Sequence, residues 1–535
     1  MSLPLPSSET CQRARLSRDA RFDGLFFTGV FSTGIYCRPV CPAPSPKEEN
    51  VRYFATAQAA AAAGLRPCLR CRPESAPGSA PWRGTATTLS RAMALIDTGA
   101  LNAKERDGTA AMEALAARLG VGSRYLRKLF HEQLGMSPKA YGDYRRLLLA
   151  KALLHQTELP ITDIAFAAGY GSLRRFNEVF KATLNLTPGQ VRASSRSSKL
   201  FSSPSEGLYL MLGFRPPYDF RALRQFFMVR AIEGAEWFVS ADGTPCYGRT
   251  LRVEGDKGWF EASLIPGKHA LRVHIYPGKD SSKLSHWLSE IKRVLDVDAN
   301  LSLIAEHIGA VVRRMSASNV SSKLDAGGDM AGCDTTSAAA EPYLPLLPVM
   351  PLPGAGSLFE AGCRAVLGQQ VSLVQATKLL NQLVDESSGY IELGGRHCRL
   401  FPKPEAVERA SLESLKMPGA RKLALQALAA AFRDTEPSAQ TLLALKGIGP
   451  WTVSYACMRG LSEPDVLLTG DLVVRQRLAM LGIEAANNKS AKSSQAGKRQ
   501  PRTLALDELI AGASPWGSYL TLALWHLDLA SKPQH

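Results

Sequence analysis

The sequence predicts a multidomain, mostly α-helical chain, and three observations carry that reading. Four cysteines crowd into one N-terminal stretch, one pattern recurs at an offset of 49–50 residues, and strand-like alternation is confined to one region between helical ones. The 535 residues leave room for three to five domains, and 45% hydrophobic with 21% charged residues is ordinary for globular protein. Four parts follow: a small zinc α/β module, an all-α double helix-turn-helix domain, an α+β subdomain on an antiparallel sheet, and an all-α helix-hairpin-helix domain.

The first part spans 8–80 and ends in the loop-like PESAPGSAPW. Cys37 and Cys41 form a C-x₃-C pair, Cys68 and Cys71 a C-x₂-C pair, with 26 residues between the pairs. Each short pair can bite a metal from a single turn, and two such pairs suit four thiolates closing tetrahedrally on one Zn²⁺. The other six cysteines (Cys11, Cys246, Cys333, Cys363, Cys398 and Cys457) are scattered. Disulfides are the alternative, but MSLPLPSSET lacks the basic and apolar regions of a secretory signal. No apolar run is long enough to span a bilayer, and the stretch 342–354 is broken by five prolines. A cytoplasmic protein with no membrane partner is expected.

Charge is unevenly placed. Residues 1–200 carry 28 Lys and Arg against 15 Asp and Glu, whereas the remaining 335 carry 36 against 33. A basic first third beside a near-neutral remainder suits a polyanion partner, though a basic solvated surface would look the same. The helical part, 86–193, adds the repeat: LAARLGVGSRYLRKLF (115–130) resembles IAFAAGYGSLRRFNEVF (164–180). Each copy reads as helix, glycine turn and a second helix bearing arginines, the pattern of a helix-turn-helix. Ser137-Pro138 and Thr187-Pro188 then cap a further helix in register. In the major groove the second helices would present Arg124, Arg127 and Lys128, and Arg174 and Arg175. The alternative is a structural hairpin with solvated arginines.

A serine- and basic-rich linker, 194–206, leads to the third part, 207–285. There WFVSADG, CYGRTLRVEGDKGWFEASLI and HALRVHIYPG alternate between turn residues, the signature of an antiparallel sheet. Helical periodicity fills the fourth part, 286–535. Two polar segments, 317–340 and 485–502, interrupt it and are read as mobile insertions.

Longer motifs resemble known families in series. TGIYCRPVC, KEENVRYF and AAAGLRPCLRCRPE resemble the Ada-type adaptive-response module, and the two repeats resemble an AraC-type DNA-binding domain. From about 207 onward PPYDF, FEAGCRAVLGQQVS, LKGIGPWTVSYACMRG, DVLLTGD and PWGSYLTLALWH resemble an AlkA-type 3-methyladenine DNA glycosylase. The resemblance implies a DNA alkylation-repair protein that acts on alkylated and operator duplex DNA, with RNA polymerase as a further partner and a nucleoid-associated location. It makes Cys37 the acceptor of a methyl group from a DNA methylphosphotriester, with Cys41, Cys68 and Cys71 as supporting zinc ligands. Alkylating one of four thiolates removes one negative charge. At 4–8 Å from a phosphate, in an effective dielectric near 20, that is worth about 2–4 kcal/mol. Methylation would thereby strengthen operator binding. The PCHR nucleophile of full Ada-type proteins is missing, so transfer from guanine O6 is not expected.

The same resemblance makes Leu445–Trp451 a helix-hairpin-helix turn, in which Gly447 and Gly449 let backbone N–H groups approach a DNA phosphate. Asp471, 22 residues after Gly449, falls at the glycosylase catalytic position, although an aspartate before LVVRQR could also just cap a helix. Breaking an N-glycosidic bond builds positive charge on the deoxyribose, which a carboxylate stabilises. Trp451, Tyr455, Trp525 and Phe226 match aromatic positions of the pocket for an extruded base. No lysine occupies the hairpin position that lyase-type relatives use, Ser454 and small neighbours standing there, so a monofunctional enzyme is expected. Gln370 stands where an intercalating leucine is common, and Gly470 where a second acidic residue is. A rival reading is a damage-responsive transcription factor whose C-terminal half binds DNA without catalysis.

Overall fold

A computed structural model describes residues 6–530 apart from 19–21, 23–25, 42, 56, 69, 72, 74–84, 98, 102–107, 196–206, 279–282, 325–346, 482 and 484–502. The chain divides into two compact units. One comprises Met1–Ser90, Gly309–Pro345 and Leu478–Pro515, the other Arg91–Ile308, Leu346–Arg477 and Trp516–His535. The fold is multidomain and mostly helical, with small sheets. Among the described residues no helix is long and apolar enough to cross a membrane.

In the first unit, α1 (Ser8–Leu16) is capped by the Ser7 hydroxyl, which accepts from Thr10 N. Four short strands follow, β1 (Phe27–Val30), β2 (Ile35–Cys37), β3 (Val51–Phe54) and β4 (Arg66–Pro67), in the order β3-β1-β2-β4, with α2 (Ala57–Ala62) preceding β4. Phe27, Tyr36, Ala60 and Leu65 form its core. Gly29 is needed there: a Cβ on it would lie 2.5 Å from both Leu65 and Phe54 side-chain atoms.

The described residues from 85 to 195 form helices α3 (Thr85–Asp97), α4 (Gly108–Arg118), α5 (Ser123–Leu134), α6 (Pro138–Gln156), α7 (Ile161–Ala167), α8 (Leu173–Leu184) and α9 (Pro188–Ser195). The repeat is structural. Gly120 and Gly169 take positive φ of 68° and 83°, and the same bond closes each turn, Val121 N to Ala116 O and Tyr170 N to Ala165 O, both 3.0 Å. Phe130 and Phe180 are fully buried at matching places. Ser137 and Thr187 cap the helices that follow, accepting from Ala140 N and Gln190 N.

The sheet region forms β5 (Leu208–Gly213), α10 (Phe220–Met228), β6 (Glu236–Val239), β7 (Pro245–Val253), β8 (Asp256–Leu264) and β9 (Ala270–Tyr276), wholly antiparallel in the order β5-β9-β8-β7-β6. On it lies α11 (Leu284–Leu295), whose Trp287 closes onto Gly258: a Cβ there would meet the ring at 2.6 Å. The next helix, α12 (Leu301–Leu324), runs eight residues into the segment read as an insertion from 317. The rest of that segment from 325, the insertion 485–502 and the linker from 196 lie outside the described residues.

The remaining elements are α13 (Leu358–Leu367), α14 (Leu373–Ser387), β10 (Tyr390–Leu393), β11 (Arg396–Arg399), α15 (Pro404–Arg409), α16 (Gly419–Ala431), α17 (Ala439–Leu443), α18 (Pro450–Gly460), α19 (Leu472–Met480), α20 (Thr503–Ala513) and α21 (Gly517–Ala530). The hairpin β10-β11 corrects the all-helical expectation for 286–535. Gly394 and Gly395 both take positive φ, as a two-residue turn requires, and Trp259 Nε1 ties the hairpin to the sheet through Leu393 O at 2.8 Å.

Four buried charges join sheet to helices. Arg249 of β7 bonds Glu360 of α13 at 2.6 Å and lies 3.7 Å from Glu236 of β6. Arg364 of α13 bonds Glu360 at 2.9 Å and Glu236 at 3.2 Å. All four side chains are 1–8% exposed, so the square is internally neutral and shut off from water. Glu360→Gln should leave both guanidiniums short of an anion, at a cost of about 3–5 kcal/mol. Urea unfolding followed by tryptophan fluorescence checks this, since six of seven tryptophans lie within 237–525. A loss within error of zero would mean that the square contributes nothing to stability.

Candidate metal centre and candidate active site

The metal centre belongs to the first unit. β4 runs parallel beside β2, with Tyr36 registered against Pro67, so Cys68 leaves the sheet next to Cys37. Cys68 N donates to Tyr36 O at 3.0 Å, and Cys41 N closes its own turn on Arg38 O at 3.1 Å. The result is that the Sγ atoms of Cys37, Cys41, Cys68 and Cys71 all lie within 4.8 Å of one another, those of Cys41 and Cys68 at 3.9 Å. Tetrahedral Zn–S bonds of about 2.3 Å put sulfurs about 3.8 Å apart, so the donor set fits. Crowding sets the thiols against each other. Hydrogen bonds to Cys41 and Cys71, then burial, push the Cys37 thiol up, while accepting from Cys37 and Cys71 pulls Cys41 down. A divalent cation at the centre removes that conflict, and the four thiolates hold one zinc ion. Cys68 and Cys71 are buried, whereas Cys37 and Cys41 are half-buried. A cavity of about 450 Å³ opens on them, lined by Arg15, Thr28, Cys37, Arg38, Cys41 and Cys68 among others.

The candidate active site belongs to the second unit and is built around Asp471. Asp471 caps α19, Oδ1 accepting from Val473 N at 3.0 Å and Val474 N at 3.1 Å. It does more than cap. Trp525 Nε1 of α21 donates to Oδ1 at 3.1 Å, and Trp451 Nε1 of α18 to Oδ2 at 3.2 Å. Oδ1 thus takes three donors and Oδ2 one, leaving Oδ2 the oxygen with open lone-pair capacity.

All four expected aromatics gather here. Trp451 stacks on Tyr455 at 5.4 Å, Tyr455 lies 6.3 Å from Trp525, and Trp525 faces Phe226 of α10 at 6.5 Å with planes 18° apart. Two arginines that sequence reading missed complete the cluster. Arg459 donates from Nη1 to the Tyr455 hydroxyl at 3.0 Å and lies 4.7 Å from the Phe226 ring centre. Arg230 lies over the same ring at 3.7 Å. Burial works to raise the Tyr455 phenol, but Arg459, Arg230 and Arg364 outweigh it and hold the group below its ordinary value. Nothing in the sequence flagged either arginine.

The hairpin joins α17 to α18. Gly447 has φ +85°, and a Cβ on it would sit 2.9 Å from that of Ala424, so glycine is required twice over. Gly449 caps α18, with Pro450 at the first helical position. Gln369, also missed, braces the turn: its Nε2 donates to Gly447 O and Thr452 Oγ1, both at 3.0 Å. Its neighbour Gln370 is exposed with φ +57°. The doubled glutamine of GQQVS was the available signal. At Gly470 a Cβ would make only ordinary contact with Trp451, so nothing steric bars a side chain there. On the paired helix-turn-helix units, Arg124, Arg127 and Lys128 of α5 and Arg174 and Arg175 of α8 are all exposed. Lys128 pairs with Glu132 at 3.6 Å and Arg174 with Glu178 at 3.0 Å, surface pairs weak enough to be exchanged for a phosphate.

Three family models match the chain: the metal-binding domain of Ada over residues 10–74, a helix-turn-helix domain over 115–194, and the AlkA N-terminal domain over 209–322. Among curated relatives, the probable bifunctional transcriptional activator/DNA repair enzyme AlkA of Mycobacterium tuberculosis is 32% identical over 529 residues, 97% of this chain and 96% of its own. The bifunctional transcriptional activator/DNA repair enzyme Ada of Escherichia coli is 33% identical over 177 residues, 33% of this chain and 47% of its own. DNA-3-methyladenine glycosylase 2 of Escherichia coli is 26% identical over 337 residues, 59% of this chain and 96% of its own. With a relative so similar over nearly its whole length, the chain belongs to the family of bifunctional transcriptional activator/DNA repair enzymes that join an Ada metal-binding domain, a helix-turn-helix domain and an AlkA domain in one polypeptide.

Proposed function

We propose that this chain senses DNA methylation at one end and excises alkylated bases such as 3-methyladenine at the other. Residues 8–80 act as a methylphosphotriester acceptor and 86–193 as an operator-binding domain, with 194–206 as linker. Residues 207–285 and 286–535 together form a monofunctional DNA glycosylase. The protein works on duplex DNA in the cytoplasm, associated with the nucleoid, and as an activator contacts RNA polymerase. The observation that carries the enzyme reading is the Asp471 carboxylate, fixed by two indole N–H groups within an aromatic cluster.

The hairpin at Gly447 and Gly449 grips the phosphate backbone through N–H groups at the start of α18, which also bears a favourable partial charge. Gln370, exposed at the end of α13, fills the gap left in the stack when a nucleotide is extruded. Trp451, Tyr455 and Trp525 receive the base by stacking. As the bond between C1′ and the base nitrogen breaks, Oδ2 of Asp471 stabilises the positive charge on the sugar and orients water toward C1′. A base already alkylated to a cation leaves neutral and needs no acid. The match to the glycosylase relative supports this assignment.

In the first unit the bound zinc keeps Cys37 as a thiolate at neutral pH. Cys37 Sγ attacks the methyl carbon of a methylphosphotriester. The S–C bond forms as the C–O bond breaks, and the electron pair stays on the resulting phosphodiester anion. One negative charge is lost from the sulfur cluster, which strengthens operator binding by α5 and α8.

Asp471→Asn is expected to lower release of 3-methyladenine from methylated duplex by at least a thousandfold while DNA affinity changes less than threefold. Abasic sites scored as alkali-labile breaks provide the readout, and turnover close to that of the unaltered chain would move the chemistry elsewhere. Incubation with methylphosphotriester DNA should add about 14 Da to the peptide bearing Cys37, the net gain when a methyl group replaces the thiol hydrogen. Zinc, expected at one per chain by elemental analysis, should be removed by a strong chelator, and protein stripped before it meets the DNA should no longer form this adduct. Gel shifts on operator DNA should then show methylated protein binding more tightly, and equal affinity of the two forms would remove the switch.

A further inference from the structure

Thr28 of β1 stands directly opposite Cys37 of β2, and opposite Tyr53 of β3 on its other side. Residues opposite each other in an antiparallel pair project from the same face of the sheet, so Thr28 and Cys37 share a face. Both line the cavity of about 450 Å³ in the first unit. Thr28 is 2% exposed, and its hydroxyl has no hydrogen-bond partner among the described residues. Polar neighbours are engaged elsewhere. The Tyr53 hydroxyl donates to Glu48 Oε1 at 2.7 Å, and Arg15 donates to Glu48 Oε2, to the Tyr53 hydroxyl and to Pro46 O. The other hydroxyl-bearing residues of the lining, Ser32, Thr33 and Ser45, are all exposed. A buried hydroxyl without a partner is costly, and beside a cavity it calls for an acceptor on the occupant.

The chemistry at Cys37 says which acceptor. As Cys37 Sγ bonds the methyl carbon, the C–O bond breaks and its electron pair stays on the phosphate. A neutral triester thus becomes a phosphodiester anion, whose unesterified oxygens accept hydrogen bonds far better than those of the triester. We infer that Thr28 is a catalytic residue of methyl transfer, its O–H donating to one of those oxygens as the negative charge develops. The proton stays on Thr28 throughout, and no further reactant is needed. This rests on the methyl-acceptor reading above and adds to it the group that receives the departing charge.

The full-length chain with zinc bound is assayed for single-turnover methylation of Cys37 by two donors, a duplex carrying one methylphosphotriester and methyl iodide. Both report the thiolate, but only the first leaves an oxyanion behind. Removing a preplaced donor to a developing oxyanion costs about 10²–10³ in rate. Thr28→Val, close in shape but without the O–H, should therefore lower the rate at saturating triester duplex about a hundredfold. The duplex concentration giving half that rate, the zinc content and the methyl iodide rate should each stay within about twofold. Its urea midpoint should hold or rise, since an unpartnered buried hydroxyl has been removed. Thr28→Ser, which keeps the O–H, should retain the triester rate within about fivefold. Thr28→Ala is read in place of Thr28→Val should the valine variant bind less zinc. An undiminished triester rate, equal losses with the two donors, a lowered urea midpoint, or a serine variant as slow as the valine one would overturn the inference. An unaltered chain that takes a methyl from methyl iodide but not from the triester duplex would instead strike down the methyl-acceptor reading on which it stands.

Discussion

The buried square of Arg249, Glu360, Arg364 and Glu236 is the constraint on which the second unit depends. Burial alone would push the Glu360 carboxyl up, and the two guanidiniums bring it down instead to about 2. Taking four charges out of water is costly, and the Coulombic return depends on geometry kept within tenths of an ångström. Hydrophobic contacts between a sheet and a helix tolerate sliding, whereas this square does not. It also sets the positions of neighbouring backbone. Glu236 accepts from Ile232 N at 2.9 Å and from the Tyr247 hydroxyl at 2.7 Å, and Glu360 accepts from Gly356 N at 3.2 Å. The turn after α10 is thereby held against α13, and with it Phe226 and Arg230. Through Gly460, whose Cβ would meet Leu358 Cα at 2.6 Å, α13 in turn sets α18 and its Trp451 and Tyr455.

Each side chain proposed to react is placed by the end of a regular element. Cys37 closes a strand, and the parallel partner strand delivers the second cysteine pair beside it. Asp471 opens a helix, and its capping bonds fall on Oδ1 alone. Capping and catalysis were competing explanations of Asp471 in the sequence. In the structure the cap bonds fall on Oδ1 and leave Oδ2 to the Trp451 indole, so the cap is compatible with the proposed catalytic role.

What the sequence disclosed and what it hid follow from the range of the interactions. Cysteine pairs three or four residues apart, the glycine turns of the repeat and the capped helix starts at Pro138 and Pro188 are local, so spacing alone locates them. The hairpin at 390–399 was local too, in the pair Gly394-Gly395, but its strands of four residues were swamped by helical periodicity on both sides. Arg230, Arg459 and the charge square were beyond reach. Arg249 and Glu360 are separated by 111 residues, and Arg364 reaches Glu236 across 128. Sequence gives an arginine no sign of whether its carboxylate lies far along the chain, or whether it has none. Phe226, expected in the base pocket, lies under the Arg230 guanidinium, a contact the sequence did not show.

That occupied ring gives the cluster a direction. Heterolysis of a glycosidic bond moves electrons from sugar to base, so the ideal environment is negative beside the sugar and positive beside the base. Asp471 is tied to the Trp451 and Trp525 indoles, whereas Arg230 and Arg459 both lie against Phe226. Under the proposed reading, with the sugar beside Asp471, this separation of charge would follow the electron flow the reaction requires. Aromatic rings alone would favour cations without regard to where the charge moves. Fixed charges of opposite sign, held by indoles at one end and by a pinned turn at the other, would under that reading favour the transition state over the bound base.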